Sequence, residues 1–110
     1  MPYDLELADR IRELVAAERG VDEKQMFGGL AFLINGNMAV AATREGGLMV
    51  RVAPGDTEKL LQRNHVAPMV MGGRQMRGWL RIGSPGVQTK RQLEVWVARG
   101  VDYAKGLPPK

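Results

Sequence analysis

The sequence contains no cysteine, and its 110 residues include a single histidine and a single serine. Without cysteine the chain cannot form disulfides or a thiolate metal site, and we expect neither a metal nor any other cofactor. No apolar run approaches the ~20 residues of a membrane-spanning helix, and the acidic start of the chain does not resemble a signal peptide. These absences predict a cytoplasmic protein that is stabilised by its hydrophobic core and has no membrane contact.

Groups that could carry catalysis are also scarce. A nucleophilic triad would have to combine Ser84, in the turn "GSPG", with His65 and an acid, and nothing in their spacing indicates that they converge. His65 is more typical of a capping or surface residue than of a metal ligand, because no cysteine or second histidine can join it. We therefore expect no catalytic residues, no metal ligands and no enzymatic activity.

The sequence predicts one domain whose charge is unevenly distributed. Its length and its composition of 45% hydrophobic and 25% charged residues are those of a single globular domain over residues 1–110. Residues 1–43 carry four Lys or Arg and seven Asp or Glu, whereas residues 44–91 carry nine and three. A basic middle segment attracts anions, nucleic acids included, although a solvated basic surface explains the same pattern.

The spacing of apolar residues predicts three helices. Asp4 is a suitable cap for the first helix and Gly20 a suitable stop, a short second helix follows Pro54, and the third begins near Thr89. Three strand patterns precede the second helix and two follow it. The resulting order, αβββαββα, predicts an α+β domain in which helices pack on a mainly antiparallel sheet of about five strands.

Turn residues indicate how the strands pair. Asn35-Gly36 is typical of a two-residue type I′ turn, so residues 29–34 and 37–43 are expected to form a hairpin. The stretch "GGR" at 72–74 predicts a second hairpin. Pro68 cannot donate to a strand ladder, so its strand is expected to be irregular or to lie at an edge of the sheet.

Two adjacent glycines, Gly28 and Gly29, interrupt the apolar stretch "MFGGLAFLINGNMAVAA". A phosphate-binding loop would need a helix directly after the glycines, and here a strand pattern follows. We interpret the pair as a bulge that bends one long strand, so that Phe27 and residues 30–34 serve different parts of the core. With Gly36 and Gly78, these are the glycines to which we assign a structural role.

The stretch "QMRGWLRI" predicts a candidate interaction face. Strand alternation places Met76, Gly78, Leu80 and Ile82 on one side of the sheet and Arg77, Trp79 and Arg81 on the other. The complete candidate face comprises Arg51, Arg74, Arg77, Trp79 and Arg81. Arginines beside a tryptophan suit a protein partner or a nucleic-acid base, unless the last helix or another subunit covers the ring.

Methionine is the one abundant apolar residue whose use the pattern leaves open. The methionines after the first residue lie mostly in predicted strands, at positions 26, 38, 49, 69, 71 and 76. Methionine side chains fill irregular cores, and they also form adaptable binding surfaces.

Several of these stretches resemble a known family. "MFGGLAFLINGNMAV", "GLMVRV", "RQMRGW" and the final "GLPPK" are similar to the TfoX N-terminal domain of bacterial competence regulators of the TfoX/Sxy type, from about Gln25 onward. The resemblance implies an α+β sandwich of order αβββαββα, similar to secretion-chaperone-like domains, and it implies no catalytic residues. Two-domain regulators of this type also have a helical C-terminal domain, whereas this chain is expected to be a free-standing single-domain member.

The sequence thus predicts a non-enzymatic regulatory domain that binds a protein partner, with a homodimer as one form of that interaction. The alternative is a nucleic-acid-associated regulator that binds through the basic Arg/Trp face of the sheet.

Overall fold

The structure, a computed structural model, describes residues 3–26, 28–44 and 46–110. The elements are α1 (Leu5–Leu14), β1 (Val21–Met26), β2 (Gly29–Ile34), β3 (Asn37–Ala42), β4 (Leu48–Arg51), α2 (Thr57–Leu60), β5 (Val66–Met71), β6 (Arg74–Ile82) and α3 (Lys90–Lys105). The predictions made for Phe27 and for the side chain of Met71 concern positions outside the described residues. Within those ranges no helix combines the length and the apolar character that crossing a membrane requires.

The strands form one six-stranded sheet in the order β1-β2-β3-β4-β6-β5, and every neighbouring pair is antiparallel. The α+β class and the antiparallel sheet are therefore confirmed. Asn35 and Gly36 have φ angles of +52° and +85°, as the predicted type I′ turn requires. Pro68 lies in the edge strand β5, where the register shifts, as its missing N–H indicated.

The interpretation of Gly28 and Gly29 as a bend in one long strand was wrong. β1 and β2 are two separate strands that pair as a hairpin, with Met26 opposite Gly29, and this hairpin accounts for the sixth strand. Gly28 has a φ of +78°, so it supplies the left-handed conformation that reverses the chain. A Cβ atom on Gly29 would overlap the carbonyl oxygen of Ala42. Because a strand follows the pair, the geometry is not that of a phosphate-binding loop.

Helices α1 and α3 pack on one face of the sheet and form the main core with it. Both start at side-chain caps: the Leu7 N–H donates to Asp4 Oδ1 at 3.1 Å, and Thr89 and Gln92 form a capping box. α1 ends at Leu14, six residues before the predicted stop at Gly20. The main core includes Leu7, Ile11, Phe32, Ile34, Val40, Leu48, Val50, Leu80, Ile82, Leu93, Trp96 and Val101.

An ion pair joins α1 to the first strand. Arg12 donates from Nε to Glu23 Oε2 at 2.6 Å and from Nη2 to Glu23 Oε1 at 2.8 Å. These hydrogen bonds favour the ionised carboxylate and lower the pKa of Glu23 below its usual value. The pair therefore fixes the helix face of β1 and leaves the opposite face of that strand for Asp22, Lys24 and Met26.

Candidate functional site

The face of the sheet opposite α1 and α3 carries a second apolar cluster. Ala31, Met38, Ala41 and Met49 are buried there, and Met26, Leu33, Met69 and Trp79 pack around them as partly buried neighbours. All of these residues belong to strands, and no described helix residue joins the cluster. β2, β3 and β4 are therefore apolar on both faces, although described helices cover only one of them.

Two adjoining hollows in this face form what we call the methionine cleft. Their volumes are about 140 Å³ and about 530 Å³, and both are lined by Met26, Met38, Met49 and Met69. The larger hollow receives at least one side chain from each of the six strands, and it also includes Leu33, Met76 and Trp79. Its size lies within the range of ordinary binding sites, about 300–1,000 Å³.

Cations surround the methionine cleft. Those that line its hollows are Lys24, Arg44, Arg51, Arg81 and Lys110, and none of the described lining residues is acidic. Arg44 and Arg81 belong to the smaller hollow, at one end of the strands, whereas Arg51 and Lys110 belong to the larger one, near the β2–β3 turn. The cleft therefore has an apolar floor between two positively charged sides.

Arg51 makes cation–π contacts with two aromatic rings. It lies opposite Trp79 across the β4–β6 pair, and its Cζ is 5.2 Å from the centroid of the Trp79 ring. The Tyr103 ring of α3 is 5.7 Å from the same atom. Cation–π contacts of this kind orient a guanidinium group, so Arg51 is positioned at the cleft before any partner arrives.

The predicted alternation of side chains along β6 was wrong on the N-terminal side of Gly78. Gly78 has a φ of +89°, and its N–H donates to Thr57 Oγ1 at 3.0 Å. This irregular residue changes the side to which the preceding residues point. Met76 therefore lines the cleft together with Trp79, while Arg77 Nε donates to the Pro54 carbonyl at 3.2 Å.

The structure brings together some of the predicted face residues and separates others. Arg51, Trp79 and Arg81 all line the methionine cleft. Arg77 lies beside Pro54, and Arg74 is exposed at the end of the β5–β6 hairpin, outside both hollows. Sequence reasoning missed Lys24 and Arg44 and did not recognise the methionines as one surface. The available signal was the run of apolar residues in β2 and β3, which continues through both faces of the strands.

Ser84 and His65 line another hollow of about 390 Å³ beside β5 and β6, which shares Thr43 and Arg81 with the smaller hollow of the cleft. The Ser84 hydroxyl donates to the Gly46 carbonyl at 3.0 Å, and none of the described residues that line this hollow is acidic. Among the described parts of the chain, no group of three or more His, Cys, Asp or Glu residues is placed to hold a metal ion.

One of three comparisons with known proteins identifies a family. The family model described as the TfoX N-terminal domain matches residues 13–104, which include all six strands and nearly all of α3. No curated protein and no solved structure gives a significant match to the chain. Because the family model matches far more than half of the sequence, the chain belongs to the TfoX N-terminal domain family.

Proposed function

We propose that this domain is a non-enzymatic, regulatory protein-interaction module that binds its partner at the methionine cleft. The observation that carries the proposal is an apolar floor on the sheet face that the described helices do not cover. The central residues of this floor are buried by their neighbours, and the exposed apolar side chains, Met76 and Val70, lie at its margin. An apolar cleft with exposed apolar groups at its margin is typical of a binding site. A second copy of the chain is one such partner.

The margin of the cleft has the properties of an interaction surface. Met76 is 37% exposed and Val70, which lines the smaller hollow, is 51% exposed, while Trp79 is half-buried. Tryptophan is enriched among residues that dominate binding energy, and flexible methionine side chains repack against different partners. A partner would remove these exposed apolar groups from water.

The non-enzymatic part of the proposal is supported by where the candidate catalytic groups lie. The hydroxyl of Ser84 is engaged by a backbone carbonyl, and His65 belongs to the hollow beside β5 rather than to the methionine cleft. A covalent or acid–base site needs a nucleophile and a base within hydrogen-bond reach of each other and of an orienting group. We therefore expect substitution of Ser84 or His65 to leave partner binding unchanged.

Nucleic-acid binding is the second candidate, and one observation favours it. Arg51 stacks on Trp79 at a surface with a cationic lining, an arrangement that also suits a backbone phosphate beside a stacked base. Against it, Arg74 and Arg77 lie outside the cleft, and the floor between the cations is apolar. A surface for a nucleic-acid strand would need cations that follow its backbone.

A capture experiment separates these functions. The immobilised wild-type domain is exposed to an extract of its native host, and retained proteins and nucleic acids are both identified with and without nuclease. We expect at least one protein that is retained by the wild type and by the Gln62→Glu control, and that is lost on Met76→Glu. Both positions are exposed, and both changes add one negative charge.

Two results would contradict the proposed function. In the first, retained proteins are the same for Met76→Glu and the wild type, so the cleft is not their binding surface. In the second, retention depends on nucleic acid, and affinity for labelled DNA falls steeply between about 50 and 200 mM salt, as counterion release requires. Sedimentation at several concentrations determines whether the partner is a second copy of the chain.

A further inference from the structure

We infer that the partner segment is an amphipathic α-helix whose apolar stripe is bordered on both sides by acidic residues. This inference rests on the proposed function above, and it specifies the chemistry of the partner. It follows from the edges of the sheet, from the groups that the cleft presents, and from the distribution of its cations.

The edges of the sheet do not favour a partner that adds as a further strand. The outer strand β1 carries Asp22, Glu23 and Lys24 in succession, and charged residues on an edge disfavour pairing with another chain. The other edge, β5, contains Pro68 and an irregular register. A proline at an edge removes a donor that an added strand would need.

The methionine cleft lies on a face of the sheet and presents side chains. The backbone N–H and C=O groups of β2, β3, β4 and β6 pair with strands on both sides, so they are engaged within the sheet. A partner buried on this face must therefore satisfy its own backbone hydrogen bonds, which an α-helix does within a single segment. Methionine side chains adapt to the ridges of such a helix, as in other helix-binding grooves.

The dimensions of the cleft suit a short helix. The larger hollow is lined from β1 across to β5, and strands in a sheet are about 4.8 Å apart, so a flat path across six strands would measure about 24 Å. Curvature shortens this path, and a helix rises about 5.4 Å per turn, so about three to four turns fit across the strands.

The charges specify what borders the apolar stripe. For a helix that crosses the strands, Arg44 lies on one long side, and Arg51 and Lys110 lie on the other. Lys24 lines the cleft at the β1 end, whereas Asp22, two residues earlier on β1, is not among the lining residues. Carboxylates on both sides of the stripe would complement these cations, and lysines at the same positions would be repelled.

Two synthetic peptides of 16 residues test this inference on the full chain. Both have the same leucine stripe at helical spacing, with glutamates beside the stripe in one and lysines in the other. We expect the glutamate peptide to bind, to gain helical circular dichroism on binding, and to shift amide signals around Met38, Met49 and Trp79. The lysine peptide is expected to bind at least about tenfold more weakly, because its charges repeat those of the cleft.

A charge reversal in the protein completes the test. Arg51→Glu is expected to weaken the binding of the glutamate peptide and to strengthen the binding of the lysine peptide. The matched control Lys59→Glu changes an exposed residue of α2 by the same charge and is expected to alter neither affinity. This exchange of preference is a readout that partial unfolding of the variant would not produce.

Several results would overturn the inference. They are equal affinity for the two peptides, a bound peptide that is extended, or signal changes confined to another surface. If neither peptide binds while Met76→Glu still abolishes the retention of a host protein, the inference of a helical partner is wrong and the proposed binding surface stands. If Met76→Glu retains every host protein, the proposed function itself has failed.

Discussion

The guanidinium carbon of Arg51 lies 5.2 Å from the centroid of the Trp79 ring, and the two residues face each other across β4 and β6. The same guanidinium carbon lies 5.7 Å from the centroid of the Tyr103 ring in α3. Arg51, which lines the methionine cleft, therefore also contacts the last helix. The pair joins the charged side of the cleft to its apolar floor. The strength of the Arg51–Trp79 contact can be measured before the binding partner of the domain is known.

A double-mutant cycle of Arg51→Ala and Trp79→Leu measures this pair. Partly exposed cation–π contacts contribute about 0.5–1 kcal/mol. The change in unfolding free energy of the double variant should therefore differ from the sum of the two single changes by about that amount. Urea denaturation of the four proteins supplies the values. Additivity within about 0.3 kcal/mol would mean that the two groups are neighbours without a stabilising interaction.

The turn between β1 and β2 depends on the conformation of Gly28. Because its φ is +78°, we expect Gly28→Ala to lower the free energy of unfolding by about 1–3 kcal/mol. Gly55→Ala is the control, since a Cβ atom added to Gly55 would meet no other atom within 4 Å and Gly55 has no positive φ. Equal effects of the two substitutions in thermal or urea unfolding would contradict this role for Gly28.

Close packing of α3 on β3 requires Gly100. A Cβ atom there would lie 2.6 Å from the Ala39 carbonyl oxygen and 2.8 Å from Val40 Cγ1. Gly→Ala in an exposed helix stabilises by about 1 kcal/mol, but here we expect a loss of about 1–3 kcal/mol from overpacking. The reverse change at the exposed Ala98, to Gly, should cost about 1 kcal/mol through helix propensity alone. A stabilising Gly100→Ala would show that the helix moves away from the sheet without penalty.

The ion pair between Arg12 and Glu23 gives stability a pH dependence. The pKa of Glu23 is lower in the folded state than in the unfolded state. At a pH between these two pKa values, the unfolded chain therefore binds more protons than the folded chain. This contribution is complete above the unfolded pKa of about 4.3, and it is lost as the pH falls through the folded pKa. Glu23→Gln should therefore reduce the acid sensitivity of unfolding, while Asp22→Asn, at the neighbouring carboxylate, should preserve the Glu23 contribution. An unchanged pH profile in Glu23→Gln would contradict the assignment.

Local signals made parts of the fold predictable from sequence. The Asn35-Gly36 turn, the cap at Asp4 and the start of the third helix near Thr89 each depend on a few adjacent residues, and the structure confirms all of them. The β1–β2 hairpin was missed because β1 is highly charged. It lacks the apolar alternation that would separate it from β2.

The cleft was less predictable, because it depends on where regular alternation fails. Strict alternation correctly places Trp79 and Arg81 on the same side of β6, but the positive φ of Gly78 moves Met76 to that side and Arg77 away. β3 has a second irregularity, where the register with β2 shifts between Phe32 and Leu33. Such irregularities arise from tertiary packing, and the residue pattern alone does not locate them.

The central claim is that the methionine cleft is the partner-binding surface, and methyl NMR tests it most directly. The domain is labelled at its methionine and valine methyl groups, and the host protein identified by capture is added in increasing amounts. We predict that the methyl signals of Met38, Met49 and Met69 shift or broaden in proportion to complex formed, while Val95 on the exposed side of α3 stays unchanged. Changes at Val95 with unaltered signals from the cleft methionines would contradict the account.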